Sequence, residues 1–387
     1  MFDKYYRRIY NVEGSNYQGM ENKEINMKIL YLINHAGRAG TEKYIYNLVS
    51  YFHKKRAKCY FAYNEAGLLS EQMAEKGIKS YHLPMKNPFD LKAAKHLAKI
   101  CREEGIDIVH TQYPRENYIA ILSKLFGSKI KAVYTCHLTY YPAKIWFLMN
   151  RFVMPFNDRI IAVCNYGKAI LGEIGAPLKK VTVIYNGIIP TGDSVHNKDI
   201  IHELNLPEDT FVITTLARHN EEKGLPFLVR SMKALKNKTD RPLVCLIAGD
   251  GPLFSQTCDY IEKLGASKYV FPLGFRSDSE NILNGSHVFV NSAKCNEALS
   301  FAILEGMGHG LPIVATNIGG NPDIVKEEYG NGVLVPYGDE EAMANAIYEL
   351  MTNEEYYKSC SENSKKTVNN VFNLEKLLED TFNIYTF

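Results

Sequence analysis

Apolar residues fall along this chain in runs of strand length separated by longer stretches with helical spacing. The first series starts at Met27 with 28–34 (KILYLIN) and continues through 106–112 (IDIVHTQ), 131–137 (KAVYTCH), 159–165 (RIIAVCN) and 180–187 (KVTVIYNG). A second series occupies 211–216, 243–248, 270–274, 287–291, 312–316 and 332–335. Strand-length runs alternating with helical patterns predict βαβ units and parallel sheets, an α/β fold class. Asn186-Gly187 closes the first series, and the polar stretch that follows, with Gly192, Asp193 and Ser194, reads as an interdomain connection. The expected organisation is therefore two Rossmann-like domains, 27–187 and 201–369, joined by a linker over 188–200. A polar arm over 1–26 precedes them. In the tail, 370–387, the residues Phe372, Leu374, Leu377, Leu378 and Phe382 recur at helical spacing, so this helix needs an apolar partner.

The most informative chemistry lies in 296–320 (NEALSFAILEGMGHGLPIVATNIGG), where Glu297 and Glu305 flank seven residues. The run Ala302, Ile303, Leu304 with Gly306, Gly308 and Gly310 predicts a short helix packed closely on a sheet. One carboxylate then precedes the helix and the other stands in its first turns, both toward the carboxyl edge of a parallel sheet, where open α/β sheets bind ligands. Carboxylates held there accept hydrogen bonds from vicinal hydroxyls, the groups that sugars and riboses carry. A helix-start glutamate on its own only favours the positive end of the helix dipole, worth about 0.3–1 kcal/mol. The pair, followed by the glycine-rich loop 317–321, points beyond that to nucleotide-sugar chemistry.

Three further places carry polar groups to strand ends. In 35–42 (HAGRAGTE), Gly37 and Gly40 permit a tight turn whose following helix offers N–H groups to an anion. The G-x-G-x-x-G dinucleotide fingerprint is absent, which removes the main support for an oxidoreductase. In 218–224 (RHNEEKG), Arg218 as a fork and Lys223 as a point charge can grip a diphosphate; the plain alternative is a solvated turn balanced by Glu221 and Glu222. His137 and His110 close strands of the first series and can hydrogen-bond a substrate hydroxyl, although a strand-end histidine is usually structural. The helix over 142–156 (PAKIWFLMNRFVMPF) holds the only Trp with Lys144 and Arg151. Its make-up suits a membrane interface, but a buried crossover helix is the favoured reading.

Composition narrows the setting. The 387 residues allow two or three domains, and 45 basic against 43 acidic residues leave no electrostatic footprint for nucleic acid. Eight scattered cysteines without a Cys-x-x-Cys pair or metal-ligand spacing read as free thiols of a reducing compartment. The cytosol is the expected location, with contact at the inner face of the membrane left open. No metal cluster or Ser-His-Asp order appears in the sequence.

In several ordered motifs between Met27 and Tyr385 the chain resembles the retaining family-four glycosyltransferases of the GT-B fold (glycosyl transferases group 1). Gly40-Thr41-Glu42 is similar to that family's Gly-Gly-x-Glu turn with Ala39 in place of the first glycine, Thr135-Cys136-His137 to Thr-x-His, and 183–187 (VIYNG) to Val-Ile-Pro-Asn-Gly. The segments 218–224 and 296–320 resemble its Arg…Glu-Lys-Gly and paired-glutamate signatures. Ala298-Leu299-Ser300 stands where Gly-Phe-Gly is common, and the arm over 1–26 has no counterpart.

The resemblance implies a GT-B architecture, two domains facing across an interdomain cleft, and a donor bound mainly by the second domain. Arg218 and Lys223 would hold the diphosphate, Glu297 the hydroxyls of the transferred sugar and Glu305 the ribose. Backbone around Gly274, Phe275 and Arg276 would meet the base, Ala298, Leu299 and Ser300 would approach the donor, Gly40 would approach the phosphate and His137 the transferred sugar. The tail helix would cross back to the first domain. It further implies no cofactor and no metal, with a nucleoside-diphosphate sugar, expected to be UDP-linked, as donor substrate. A hexose or N-acetylhexosamine would pass to the hydroxyl of a glycan, lipid-linked or protein acceptor in surface polysaccharide or glycoconjugate synthesis. Two rival readings stand beside it: a nucleotide-sugar epimerase of the same fold, which would turn over donor without acceptor, and a non-catalytic scaffold subunit.

Overall fold

The computed structural model describes residues 27–55, 57–137, 144–189 and 199–386. The expected arm over 1–26 and most of the expected linker, 190–198, lie outside the described residues. The chain divides into two compact units, one running to Ile184 and taking in the tail from Leu378, the other spanning Tyr185–Leu377.

The first unit is built on strands β1 (Met27–His35), β2 (Ala57–Glu65), β3 (Lys79–His82), β4 (Ile108–Thr111), β5 (Lys131–Cys136), β6 (Arg159–Ala162) and β7 (Val181–Val183). They form one parallel sheet in the order 3-2-1-4-5-6-7. Leu30, Leu32 and Val109 point into a core closed by Ala94, Leu97 and Cys101 of the helix Leu91–Glu104. That helix is started by Asp90, whose side chain accepts from the N–H groups of Lys92 and Ala93, and stopped by Gly105 at φ 65°. Two of these strands escape the hydrophobic pattern. β3 (KSYH) is a polar edge strand, and only the middle of β2, Cys59–Ala62 as a run of four, is buried among flanking polar residues.

The second unit carries β8 (Phe211–Leu216), β9 (Leu243–Ala248), β10 (Val270–Gly274), β11 (Val288–Asn291), β12 (Ile313–Thr316) and β13 (Gly332–Val335), also all parallel. Their order, 10-9-8-11-12-13, is the Rossmann order 3-2-1-4-5-6 counted from β8. Apolar clusters cover both faces, one around Phe227, Leu228, Met343 and Ile347, the other around Ile200, Val212, Val244 and Ile282. Each sheet reverses direction once, between β1 and β4 in the first unit and between β8 and β11 in the second. These are the switch points at which chain order opens a crevice at the carboxyl edge.

Two expectations need correction. The tail is not one helix from 370: a helix Glu354–Asn370 ends, and a second, Leu374–Tyr385, follows. Between them Phe372 packs on Tyr185 and Tyr329, and Ile188 pairs with Asn373, its N–H donating to Phe372 O at 2.9 Å. In the first unit Phe382 stacks on Phe52, the apolar partner the tail required. The helix expected at 142–156 spans Lys144–Val153 and continues as a 3-10 turn Met154–Phe156, while Pro142 and the loop before it, 138–143, lie outside the described residues. It is not a buried crossover helix. Asn150 and Met154 are buried, but Phe147, Leu148, Phe152 and Phe156 are exposed. Seven of its ten residues are apolar, more than a single buried stripe of a short helix holds.

Candidate active site

The loops leaving β8 and β11 are clasped across the switch point of the second sheet. After β8 a 3-10 turn, Glu221–Lys223, is capped by Asn220, whose Oδ1 accepts from Lys223 N at 3.2 Å. Ser292 Oγ donates to Lys223 O at 2.8 Å, Lys294 N donates to Glu222 O at 2.7 Å, and Asn296 Nδ2 donates to Glu222 Oε1 at 2.7 Å. The loops approach so closely at Gly224 (φ 60°) that a Cβ there would lie 2.2 Å from Ser292 O. A glycine is required on both counts.

This clasp sets Lys223 against Glu297. Lys223 Nζ lies 2.7 Å from Glu297 Oε2, and Asn291 Nδ2, at the end of β11, donates weakly to the same oxygen at 3.5 Å. Glu297 is buried, and its own carbonyl is pinned by Gly320 N at 3.0 Å. Gly319 (φ 57°) passes so near that an added Cβ would be 1.9 Å from that carbonyl. Ala298, Leu299 and Ser300 form the turn into the helix Phe301–Gly308. Leu299 O accepts from the buried Asn186 Nδ2 at 3.0 Å, and Ser300 occupies the cap position without a side-chain cap bond. The Ser300 hydroxyl therefore does not cap the N–H groups of that first turn. Glu305 is half-buried in the second turn of the helix, with His309 one turn further on.

Arg218 is exposed just beyond β8. Beside it the segment 249–251, Gly-Asp-Gly, comes from the end of β9. Gly249 and Gly251 (φ 149° and 158°) lie so tightly on Ala217 and His219 that Cβ atoms would meet their carbonyl oxygens at 2.0 and 2.5 Å. Gly274 (φ 66°) accepts Gly249 N at 2.8 Å through its carbonyl, and Phe275 next to it is exposed. The Arg276 guanidinium is occupied elsewhere: Nε donates to Asp278 Oδ1 at 2.7 Å and Nη2 to Glu203 Oε2 at 2.9 Å, and these acids push its pKa up.

In the first unit, Gly40 opens the helix Gly40–Lys55 and is exposed. Glu42 is buried, with Oε1 accepting from Gly37 N at 3.2 Å, and burial pushes its carboxyl up. Its carboxylate shapes the turn from inside. His137 is half-buried beyond β5; its Nε2 lies 3.0 Å from Gln112 Oε1, its ring meets Tyr44 edge-on, and burial pushes it down to about 3. At neutral pH it is an uncharged imidazole. His110 is different: Nδ1 lies 2.6 Å from Tyr385 Oη and Nε2 2.7 Å from Thr135 Oγ1, with the side chain fully buried. Both nitrogens are used, which is the structural role usual for a strand-end histidine.

The structure thus gathers Lys223, Glu297, Asn291 and the 298–300 turn in the second unit. Reading the sequence overlooked the roles of the Gly249-Asp250-Gly251 turn, Asn186 and Asn291. The first had a visible signal, two glycines flanking an acid directly after a buried strand; Asn186 had one in the 183–187 motif, which did not disclose its partner, and Asn291 had none.

Similarity to known proteins agrees with this layout. Residues 38–191 match the family model Glycosyltransferase Family 4, and residues 196–367 match Glycosyl transferases group 1. The chain is 28% identical over 309 residues, 76% of its length and 79% of the relative's, to a UDP-Gal:alpha-D-GlcNAc-diphosphoundecaprenol alpha-1,3-galactosyltransferase of Escherichia coli. It is 25% identical over 323 residues, 80% of its length and 82% of the relative's, to N-acetyl-alpha-D-glucosaminyl L-malate synthase of Bacillus anthracis. A solved glycosyltransferase from Rickettsia africae superposes with a TM-score of 0.81 at 22% identity, covering 93% of this chain and 98% of that one, which shows the shared fold.

Proposed function

Because the chain belongs to the group 1, family-four glycosyltransferases and is an enzyme of that kind, we propose that it transfers a hexose or N-acetylhexosamine from a UDP-linked donor to an acceptor hydroxyl with retention of anomeric configuration and without a metal ion. The observation that carries this reading is the Lys223–Glu297 pair at the switch point of the second sheet. A cation and a carboxylate fixed 2.7 Å apart there suit a ligand that brings its own anion and hydroxyls. On binding, the diphosphate takes the Lys223 ammonium and the sugar hydroxyls take the Glu297 oxygen.

Arg218, Lys223 and the first-turn N–H groups of the helix Phe301–Gly308 would then stabilise charge building on the departing diphosphate. Each charged hydrogen bond is worth about 1.5–3 kcal/mol, counting toward rate only as far as it strengthens in the transition state. The anomeric bond ionises toward an oxocarbenium-like state, and the acceptor attacks the same face, giving its proton to the leaving phosphate. Glu305 would hold the ribose, and backbone at Gly274, Phe275 and Arg276 the uracil. Taken by itself, the first unit has groups suited to such chemistry: Gly40 opens a helix whose N-terminus suits an anion, and the neutral His137 can offer a hydroxyl a hydrogen bond without a charge.

The names of the two relatives, one with a galactosyl donor linked to UDP and the other with an N-acetylglucosaminyl product, support this donor class. The diphosphoundecaprenol acceptor of the first supports a lipid-linked or surface-polysaccharide acceptor, with the reaction in the cytosol at the inner face of the membrane. The test is UDP release from UDP-hexoses and UDP-N-acetylhexosamines with and without polyprenyl-diphosphate sugar acceptors, in chelator. Product with a retained anomeric centre, formed only with acceptor, is expected. Donor turnover without acceptor, an inverted product or strict dependence on added metal would overturn the reading.

A further inference from the structure

One end of the first unit carries a surface that the proposed donor site does not use. The helix Lys144–Val153 turns Phe147, Leu148, Arg151 and Phe152 outward at i, i+1, i+4 and i+5, one continuous face. Its other side is fixed: Asn150 is buried and accepts from Tyr118 Oη at 2.7 Å, and Met154 is fully buried. Leu125 is 76% exposed, Phe152 68%, Phe156 63% and Leu178 51%, values unusual for side chains of this size.

These residues share one edge. Leu125 lies in the turn before β5, Phe156 in the turn before β6 and Leu178 in the turn before β7, so all three stand at the amino ends of neighbouring strands. Two lysines tie the turns together, Lys124 Nζ donating to Phe156 O at 3.3 Å and Lys180 Nζ to Pro155 O at 2.8 Å. The same stretch is strongly basic. Between Lys124 and Lys180 the sequence has nine basic residues and two acidic ones, against a formal net charge of +2 for the whole chain. One of the acids, Asp158, is already paired with Lys124 at 2.9 Å.

We infer that this face, the outward side of the helix Lys144–Val153 with the turns at Leu125, Phe156 and Leu178, seats the enzyme on the interfacial layer of an anionic bilayer. Aromatic and aliphatic side chains enter the headgroup boundary while Arg151, Lys179 and their neighbours meet lipid phosphates. The helix, about 15 Å long, would lie flat on the surface with its start seven residues beyond His137. Charge selects this occupant over a second copy of the chain. A two-fold dimer through the face would set one basic surface against the same surface of its mate. The inference deepens the membrane placement proposed above and rests on that reading for its biological sense, although vesicle binding is measured without donor or acceptor.

The experiment is flotation of the full chain with phosphatidylcholine vesicles and with phosphatidylcholine–phosphatidylglycerol vesicles at low and high salt, with UDP affinity and melting temperature measured on the same samples. The wild type is expected to float with the anionic vesicles and to be released by salt. Phe152→Glu with Phe156→Glu should lower the bound fraction by about tenfold while leaving UDP affinity unchanged. Arg151→Glu with Lys179→Glu should abolish the difference between the two vesicle types. A wild type that binds UDP but does not float overturns this inference alone. So does equal flotation of the Phe152/Phe156 variant, or a solution dimer of the wild type that the variant dissociates, which would make the face an interface between copies.

Discussion

Lys223 Nζ lies 2.7 Å from Glu297 Oε2, joining the loop after β8 to the loop after β11. In the proposed function these two side chains are assigned to the donor's diphosphate and sugar, which would divide the pair on binding. Glu297→Ala is expected to abolish transfer while leaving UDP affinity nearly intact, because the carboxylate addresses the sugar and not the diphosphate. Equal loss of both, measured by calorimetry and turnover, contradicts the assignment.

The same pair has a stability signature. Lys223→Met leaves a buried carboxylate with only a weak donor from Asn291 and should cost about 1–3 kcal/mol. Combining it with Glu297→Gln should return most of that loss. A denaturant double-mutant cycle reads the coupling; additive effects would show that the pair carries no interaction energy.

Gly319 is the backbone check on the position of Glu297. An alanine there must hold a positive φ and push a Cβ into a carbonyl now 1.9 Å from that position. Gly319→Ala should destabilise by about 1–3 kcal/mol and lower kcat by displacing Glu297. Unchanged kcat would mean that the loop relaxes without moving the carboxylate.

Burial holds His110 at about 3, against an ordinary value of 6.5. The unfolded chain therefore binds a proton below about 6.5 that the folded chain refuses until about 3, so this group withdraws stability as pH falls through that window, by about 1.4 kcal/mol per pH unit. His110→Asn should flatten the acid limb of a stability–pH curve between pH 6.5 and 4 while lowering stability at pH 7. An acid limb that keeps its slope counts against the buried neutral histidine. Tyr385→Phe, which removes the hydroxyl from Nδ1, should cost about 1–3 kcal/mol for the unpaired nitrogen.

Glu116 gives the opposite sign. It is fully buried, and burial raises its carboxyl to about 8 from 4.5. Stability contributed by the protonated form is complete below about 4.5 and is lost as pH rises toward 8. Glu116→Gln should therefore raise the melting temperature more at pH 8 than at pH 5. A pH-independent effect would mean that the carboxyl is ionised in the folded protein.

Eleven of the strands could be read from sequence because each carries an apolar run of strand length, buried on both faces in strands such as 243–248. β3 could not, since an edge strand of Lys79, Ser80, Tyr81 and His82 carries no apolar run. Spacing alone made Glu297, Lys223 and Arg218 candidates, because charge at a strand's carboxyl end is a local feature. The hold of Asn186 on Leu299 O spans 113 positions and left no local trace. His110 and His137 look alike in sequence, both just past an apolar run. Tyr385, 275 positions away, and Thr135 take both nitrogens of the first, whereas Gln112 meets Nε2 of the second. The outward face of Lys144–Val153 was hidden for a different reason: periodicity identifies which residues share a helix face but not which apolar face finds a partner.

The most direct test of the donor site is titration calorimetry with UDP, GDP and ADP on the wild type and on Arg218→Ala. The account predicts binding selective for UDP, weakened by about tenfold or more in Arg218→Ala, as expected for loss of one charged hydrogen bond. A wild type that binds none of the three nucleotides, or an Arg218→Ala variant that binds UDP as tightly as the wild type, would contradict it.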